Sequence, residues 1–69
     1  MFRFNMSIDD NFASFKDEKT NSFVFIDSFD NQEFNVRLGT VDYSKEIGII
    51  YSDSTEDLNN KLHSLVSKY

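Results

Sequence analysis

Residues 22–39 read SFVFIDSFDNQEFNVRLG, and this stretch decides the fold. Phe23, Val24, Phe25 and Ile26 form a run that is apolar on both faces, the pattern of a central strand covered on both sides. Phe29-Asp30-Asn31-Gln32 interrupts it with turn chemistry, because Asp and Asn tolerate the left-handed backbone region and bond to their own main chain. Alternation resumes with Phe34, Val36 and Leu38, so the stretch predicts a β-hairpin whose first strand runs from Ser22 to Ser28.

Working outward toward the C-terminus, Gly39 breaks the alternation as a bulge or turn, and Val41 and Tyr43 prolong it. Ser44-Lys45 then lead into a further strand carrying Ile47, Ile49, Ile50 and Tyr51. Beyond it the period changes. Leu58, Leu62, Leu65, Val66 and Tyr69 fall at i, i+4, i+7, i+8 and i+11, a single helical stripe. Asp53 and Ser54 are both N-cap types, followed three residues later by Glu56 and Asp57 in capping-box spacing, and those acids suit the positive end of the helix dipole.

Toward the N-terminus, Phe2, Phe4, Met6 and Ile8 alternate with Arg3, Asn5 and Ser7 and predict a first strand over residues 2–8. Residues 9–21 are polar and read as a long loop anchored by Phe12 and Phe15. The spacing of those two rings suits either one helical turn or separate docking over an open sheet edge. The predicted architecture is α+β: a three- to four-stranded antiparallel β-meander with one C-terminal helix packed on a face, in a single domain over residues 1–69. One short helix covers one sheet face, so the apolar second face of 22–28 needs another cover. The loop carrying Phe12 and Phe15 is the expected one; a second copy or a partner protein is the alternative.

The chain has 69 residues, with 12 acids against 7 Lys and Arg, a formal charge of −5, and no Cys or Pro. A domain of this size buries only about 60% of the surface its unfolded chain exposes, which leaves room for one small core. The aromatic share of 16%, with eight Phe, is far above that of disordered chains, so the chain is expected to fold. Without cysteine there is no disulfide framework, thiolate metal site or cysteine nucleophile, and an intracellular, cytoplasmic protein is expected. The longest apolar run, Phe23 to Ile26, is too short for a signal peptide core or a membrane span. The acidic balance argues against direct nucleic-acid binding, which relies on a concentrated basic patch.

Catalytic material is sparse. His63 is the one histidine and reads as a solvated helix-flank residue. The serines lack a glycine-flanked elbow, and with only Gly39 and Gly48 in the chain there is no phosphate-cradling loop. Asp27, Asp30 and Glu33, and likewise Asp53, Glu56 and Asp57, lack the glycine and distant glutamate of a calcium loop. No catalytic residue, metal ligand or cofactor site is assigned, and the expected class is non-enzymatic.

On the predicted meander, those two acidic groups project from the same end of the sheet and form one rim, offset there only by Arg3. Asp9, Asp10, Asp17, Glu18, Asp42 and Glu46 belong to the opposite end, diluted by Lys16, Lys19 and Lys45. The rim residues Asp27, Asp30, Glu33, Asp53, Glu56 and Asp57, with Phe29 and Tyr51, are the expected partner-binding set. Phe12, Phe15 and Tyr43 are further candidate anchors. The expected partner is a larger protein with a basic groove, a nuclease or other nucleic-acid-binding protein, which this chain would inhibit. In size and charge, though in no motif, the chain is similar to the small acidic inhibitors made by phages and mobile elements, including anti-CRISPR proteins and uracil-DNA glycosylase inhibitors, some of which mimic DNA. The alternative is a structural or assembly module, a homodimer or accessory subunit pairing through an exposed sheet face or edge.

Overall fold

A computed structural model describes residues 2–69. Strands β1 (Phe12–Asp17), β2 (Ser22–Ser28), β3 (Glu33–Gly39) and β4 (Ser44–Tyr51) precede helix α1 (Thr55–Val66). The strands form one antiparallel sheet in the order β1-β2-β3-β4, and α1 packs on one face, which is the α+β meander the sequence predicts.

Two assignments change. Residues 2–8 are not a strand, although their period-two burial is present: Met6 is buried, Phe2, Phe4 and Ile8 pack on the core, and Arg3 and Asn5 are exposed. The segment is an extended ribbon beside α1 in the inner layer, and it takes its hydrogen bonds from helix side chains. The Met6 N–H donates to Asn59 Oδ1 at 2.9 Å, Asn59 Nδ2 donates to the Met6 carbonyl at 2.9 Å, and the Ile8 N–H donates to Thr55 Oγ1 at 3.0 Å. One carboxamide thus supplies both bonds that a neighbouring strand would have offered.

The first strand comes instead from the stretch read as a loop. β1 pairs with β2 in regular register from Phe12 opposite Asp27 to Asp17 opposite Ser22. Side-chain acceptors shape the turn that follows: Asp17 Oδ1 takes the Lys19 N–H and Thr20 Oγ1 the Ser22 N–H. Asn21 sits at φ 57°, in the left-handed region that asparagine tolerates.

The core lies between the inner sheet face and the layer made of α1 and the ribbon. Val24, Ile26, Phe34, Val36 and Ile50 meet Met6, Leu58, Leu62 and Val66 there. Val36 stands opposite Gly48 and Arg37 opposite Glu46, so Ile47 is the extra residue of a bulge in β4 and turns onto the core. Gly48 lies under Leu65, whose Cδ2 would be 3.2 Å from a Cβ at that position, so the glycine sets how closely α1 approaches β4.

The segment carrying Phe12 and Phe15 does not cover the outer sheet face, which corrects that expectation; residues 40–44 border this face at a depression shared with Phe12, Phe25, Asp27 and Arg37. Phe15 points inward, with its ring 5.1 Å from that of Phe4 in an edge contact, and Phe12 is outward and 61% exposed. On this outer face Phe23 and Phe25 stack with ring centroids 5.6 Å apart, and Lys16 Nζ lies 5.8 Å from the Phe23 centroid.

Candidate functional site

The β2–β3 turn and the β4–α1 junction lie at the same end of the sheet. Glu33 stands opposite Tyr51, and the Ser52 N–H donates to the Gln32 carbonyl at 2.9 Å. All six rim acids of the sequence reading, with Phe29 and Tyr51, are therefore on elements that meet at this end.

Local bonds set the turn. Asp30 Oδ1 accepts the N–H groups of Glu33 at 2.9 Å and Gln32 at 3.0 Å, and these hold its carboxyl below the usual carboxylate range. Ser28 Oγ donates to the Glu33 carbonyl and accepts the Asn31 N–H. Asn31, at φ 60°, turns its side chain back to donate to the carbonyls of Ile8 and Asp10. With the backbone fixed on both sides, Phe29 projects from the turn fully exposed.

The junction is held in a similar way. Ser54 caps α1, its side chain accepting the Asp57 N–H at 3.2 Å. The Ser52 hydroxyl, buried, bonds Asp57 Oδ2 at 2.7 Å, and Lys61 Nζ lies 3.0 Å from the same oxygen. The serine hydroxyl first, and Lys61 after it, lower the Asp57 pKa. Lys61 Nζ also donates to the Tyr51 carbonyl, and the Tyr51 hydroxyl donates to Glu33 Oε1 at 2.9 Å, which with the glutamate charge raises the tyrosine pKa.

The rim acids divide by role. Asp30 holds the turn backbone, Asp57 holds the junction, and Glu33 orients Tyr51. The side chains of Asp27, Asp53 and Glu56 make no hydrogen bond or ion pair among the described residues and face solvent.

Three placements differ from the sequence reading. Arg3 lies at the far end, beside a surface depression lined by Phe15, Lys16, Asp17, Glu18 and Lys19, because residues 2–8 run down the inner layer rather than along the sheet. The cation at the rim is Lys61, which the i, i+4 spacing from Asp57 could have indicated. Asp9 and Asp10 belong to the acidic end rather than the opposite one, since Asn31 and Thr55 hold the 8–10 backbone there. Nothing in the local sequence signals that long-range tie.

His63 is exposed on α1 beside a groove lined by Phe2, Phe4, Leu38, Val66 and Tyr69. Among the described residues no group of three or more His, Cys, Asp or Glu is placed to hold a metal ion, and no helix is long and apolar enough to cross a membrane. No protein-family model, curated protein or solved structure matches the chain.

Proposed function

We propose that this chain is a non-enzymatic binding protein that occupies a basic, nucleic-acid-binding surface of a larger protein and inhibits it. The observation that carries the reading is Phe29, fully exposed on a backbone fixed by Asp30, Ser28 and Asn31 and set among the acids of the rim. A solvated phenylalanine on a held backbone adds apolar surface where the surroundings are charged, and it suits insertion into a partner pocket. The surrounding carboxylates supply the long-range part. At a formal charge of −5, with the excess gathered at one end, the molecule is oriented as it approaches a basic groove, which raises the encounter rate.

The test uses substitutions that leave the bonded framework alone. Asp27→Asn, Asp53→Asn and Glu56→Gln together remove charge without removing a described hydrogen bond, and Phe29→Ala removes the exposed ring. A partner captured from bacterial lysate and purified should lose its nucleic-acid binding when this chain is added. The triple variant should associate about tenfold more slowly at low salt. Phe29→Ala should dissociate faster. A captured partner that keeps full nucleic-acid binding, or whose association ignores both changes, would overturn the proposal.

A further inference from the structure

The two edges of the sheet are finished differently. Ser52 donates to Gln32 across β4 and β3, so in this register Ser52, Ile50 and Gly48 point their main chain toward β3, and Tyr51, Ile49 and Ile47 point theirs outward. Two of those outward carbonyls are already used: Tyr51 by Lys61 Nζ and Ile47 by the Tyr69 hydroxyl. With the bulge at Ile47, only Ile49 keeps outward main-chain groups without a partner among the described residues, too short a run for another strand to pair along.

The β1 edge is open. The Ser28 N–H donates to the Asn11 carbonyl, which continues the ladder as a bonded pair and makes Ala13 opposite Ile26, and Phe15 opposite Val24, bonded pairs as well. The main-chain groups of Phe12, Ser14 and Lys16 therefore point away from β2, and they have no partner among the described residues. The strand carries no proline or bulge, and Phe12, Ser14 and Lys16 are exposed.

We infer that two copies of this chain pair through β1, antiparallel about a two-fold axis at Ser14, into one continuous eight-stranded sheet. This register matches the outward groups of both copies: Ser14 faces Ser14 of the second copy, and Phe12 faces Lys16, all as bonded pairs. On the outer face each Lys16 ammonium then meets the exposed Phe12 ring of the other copy, extending the contact it already makes with its own Phe23. Charge favours the same arrangement. The two-fold sends the acidic ends in opposite directions, so Asp27, beside Phe12 in its own sheet, comes near the other copy's Lys16. The inference is independent of the proposed inhibitory role.

Sedimentation of the full chain from about 1 μM to about 1 mM should show a reversible monomer–dimer equilibrium, with the Phe12, Ser14 and Lys16 amides protected from hydrogen exchange only when the dimer is populated. Ser14→Pro removes an N–H that the monomer's own ladder does not use, and it should abolish the dimer. Phe12→Lys places like charges across both symmetry-related pairs and should weaken association about tenfold. Adding Lys16→Glu to Phe12→Lys makes the cross pairs opposite in charge and should restore it. Unfolding curves identify any variant that fails to fold, and the rescue remains informative if Ser14→Pro is one. A monomer at every concentration, or a dimer indifferent to Phe12→Lys and its rescue, overturns the inference.

Discussion

Asp57 shows how much one side chain settles at the junction. It accepts a bond from a buried hydroxyl and an ion pair from Lys61, and its own N–H closes the cap on Ser54. Asp57 and Asp30 both titrate lower in the folded chain than their ordinary value, so on acidification the unfolded chain takes up those protons first. Their stabilising contribution is whole above about pH 4 and is lost as the pH falls through the lower folded values. Tyr51 has the opposite sign: its folded pKa is raised, so its contribution holds below about pH 10 and is lost as the pH rises through the higher folded value. Thermal unfolding of the wild type and Ser52→Ala across the acid range checks the assignment. The variant should melt lower near neutral pH, and the gap should narrow below about pH 4 as Asp57 becomes protonated in both. A gap of constant size would mean that the Ser52 hydroxyl does not act through the Asp57 charge.

At the scale of elements, the helix is the part most firmly tied to packing. Leu58, Leu62 and Val66 are buried along one stripe, Leu62 completely, against the inner sheet face. Leu62→Ala should cost about 2–5 kcal/mol as a cavity with little room to collapse, measured by urea unfolding. An unchanged midpoint would contradict the docking of α1. This helix was legible because its apolar period and its cap fall in one short stretch, and the β2–β3 hairpin because its turn residues separate two apolar runs. The first two elements were not. Alternation from Phe2 to Ile8 reports which side of the chain is buried, and an extended ribbon bonded by Asn59 gives the same alternation as a strand. β1 hid for the opposite reason: as an edge strand with one open face it alternates Phe12, Ser14 and Lys16 with Ala13, Phe15 and Asp17, too polar and too small inside to show a clear period.

Over the whole molecule, charge is sorted by position. Acids of the turn, the junction and residues 9–10 collect at one end around Lys61, while toward the other Arg3, Lys16, Lys19, Lys45 and Lys68 offset Asp17, Glu18, Asp42 and Glu46. The candidate rim was legible to the extent that it follows from consecutive antiparallel strands, which return every second connection to the same end. The share added by Asp9 and Asp10 depends on contacts between residues far apart in sequence, which no local pattern encodes. Asn59→Ala removes both bonds to Met6 and should lower the unfolding free energy by about 1–3 kcal/mol, since two partly buried backbone groups lose their partners. Loss of less than about 0.5 kcal/mol would mean that water replaces the carboxamide without penalty.

That bond pair also has a consequence for the order of events during synthesis. Met6 leaves the ribosome 53 residues ahead of the side chain that binds it, and Ile8 precedes Thr55 by 47. The meander can pair step by step as it emerges and offers Phe15 to the ring of Phe4, but the Met6 and Ile8 main chain has no partner until the helix is made. Closure of the inner layer is therefore a late event, and the nascent chain carries Phe2, Phe4 and Met6 only partly covered until then, open to any chaperone that binds apolar segments.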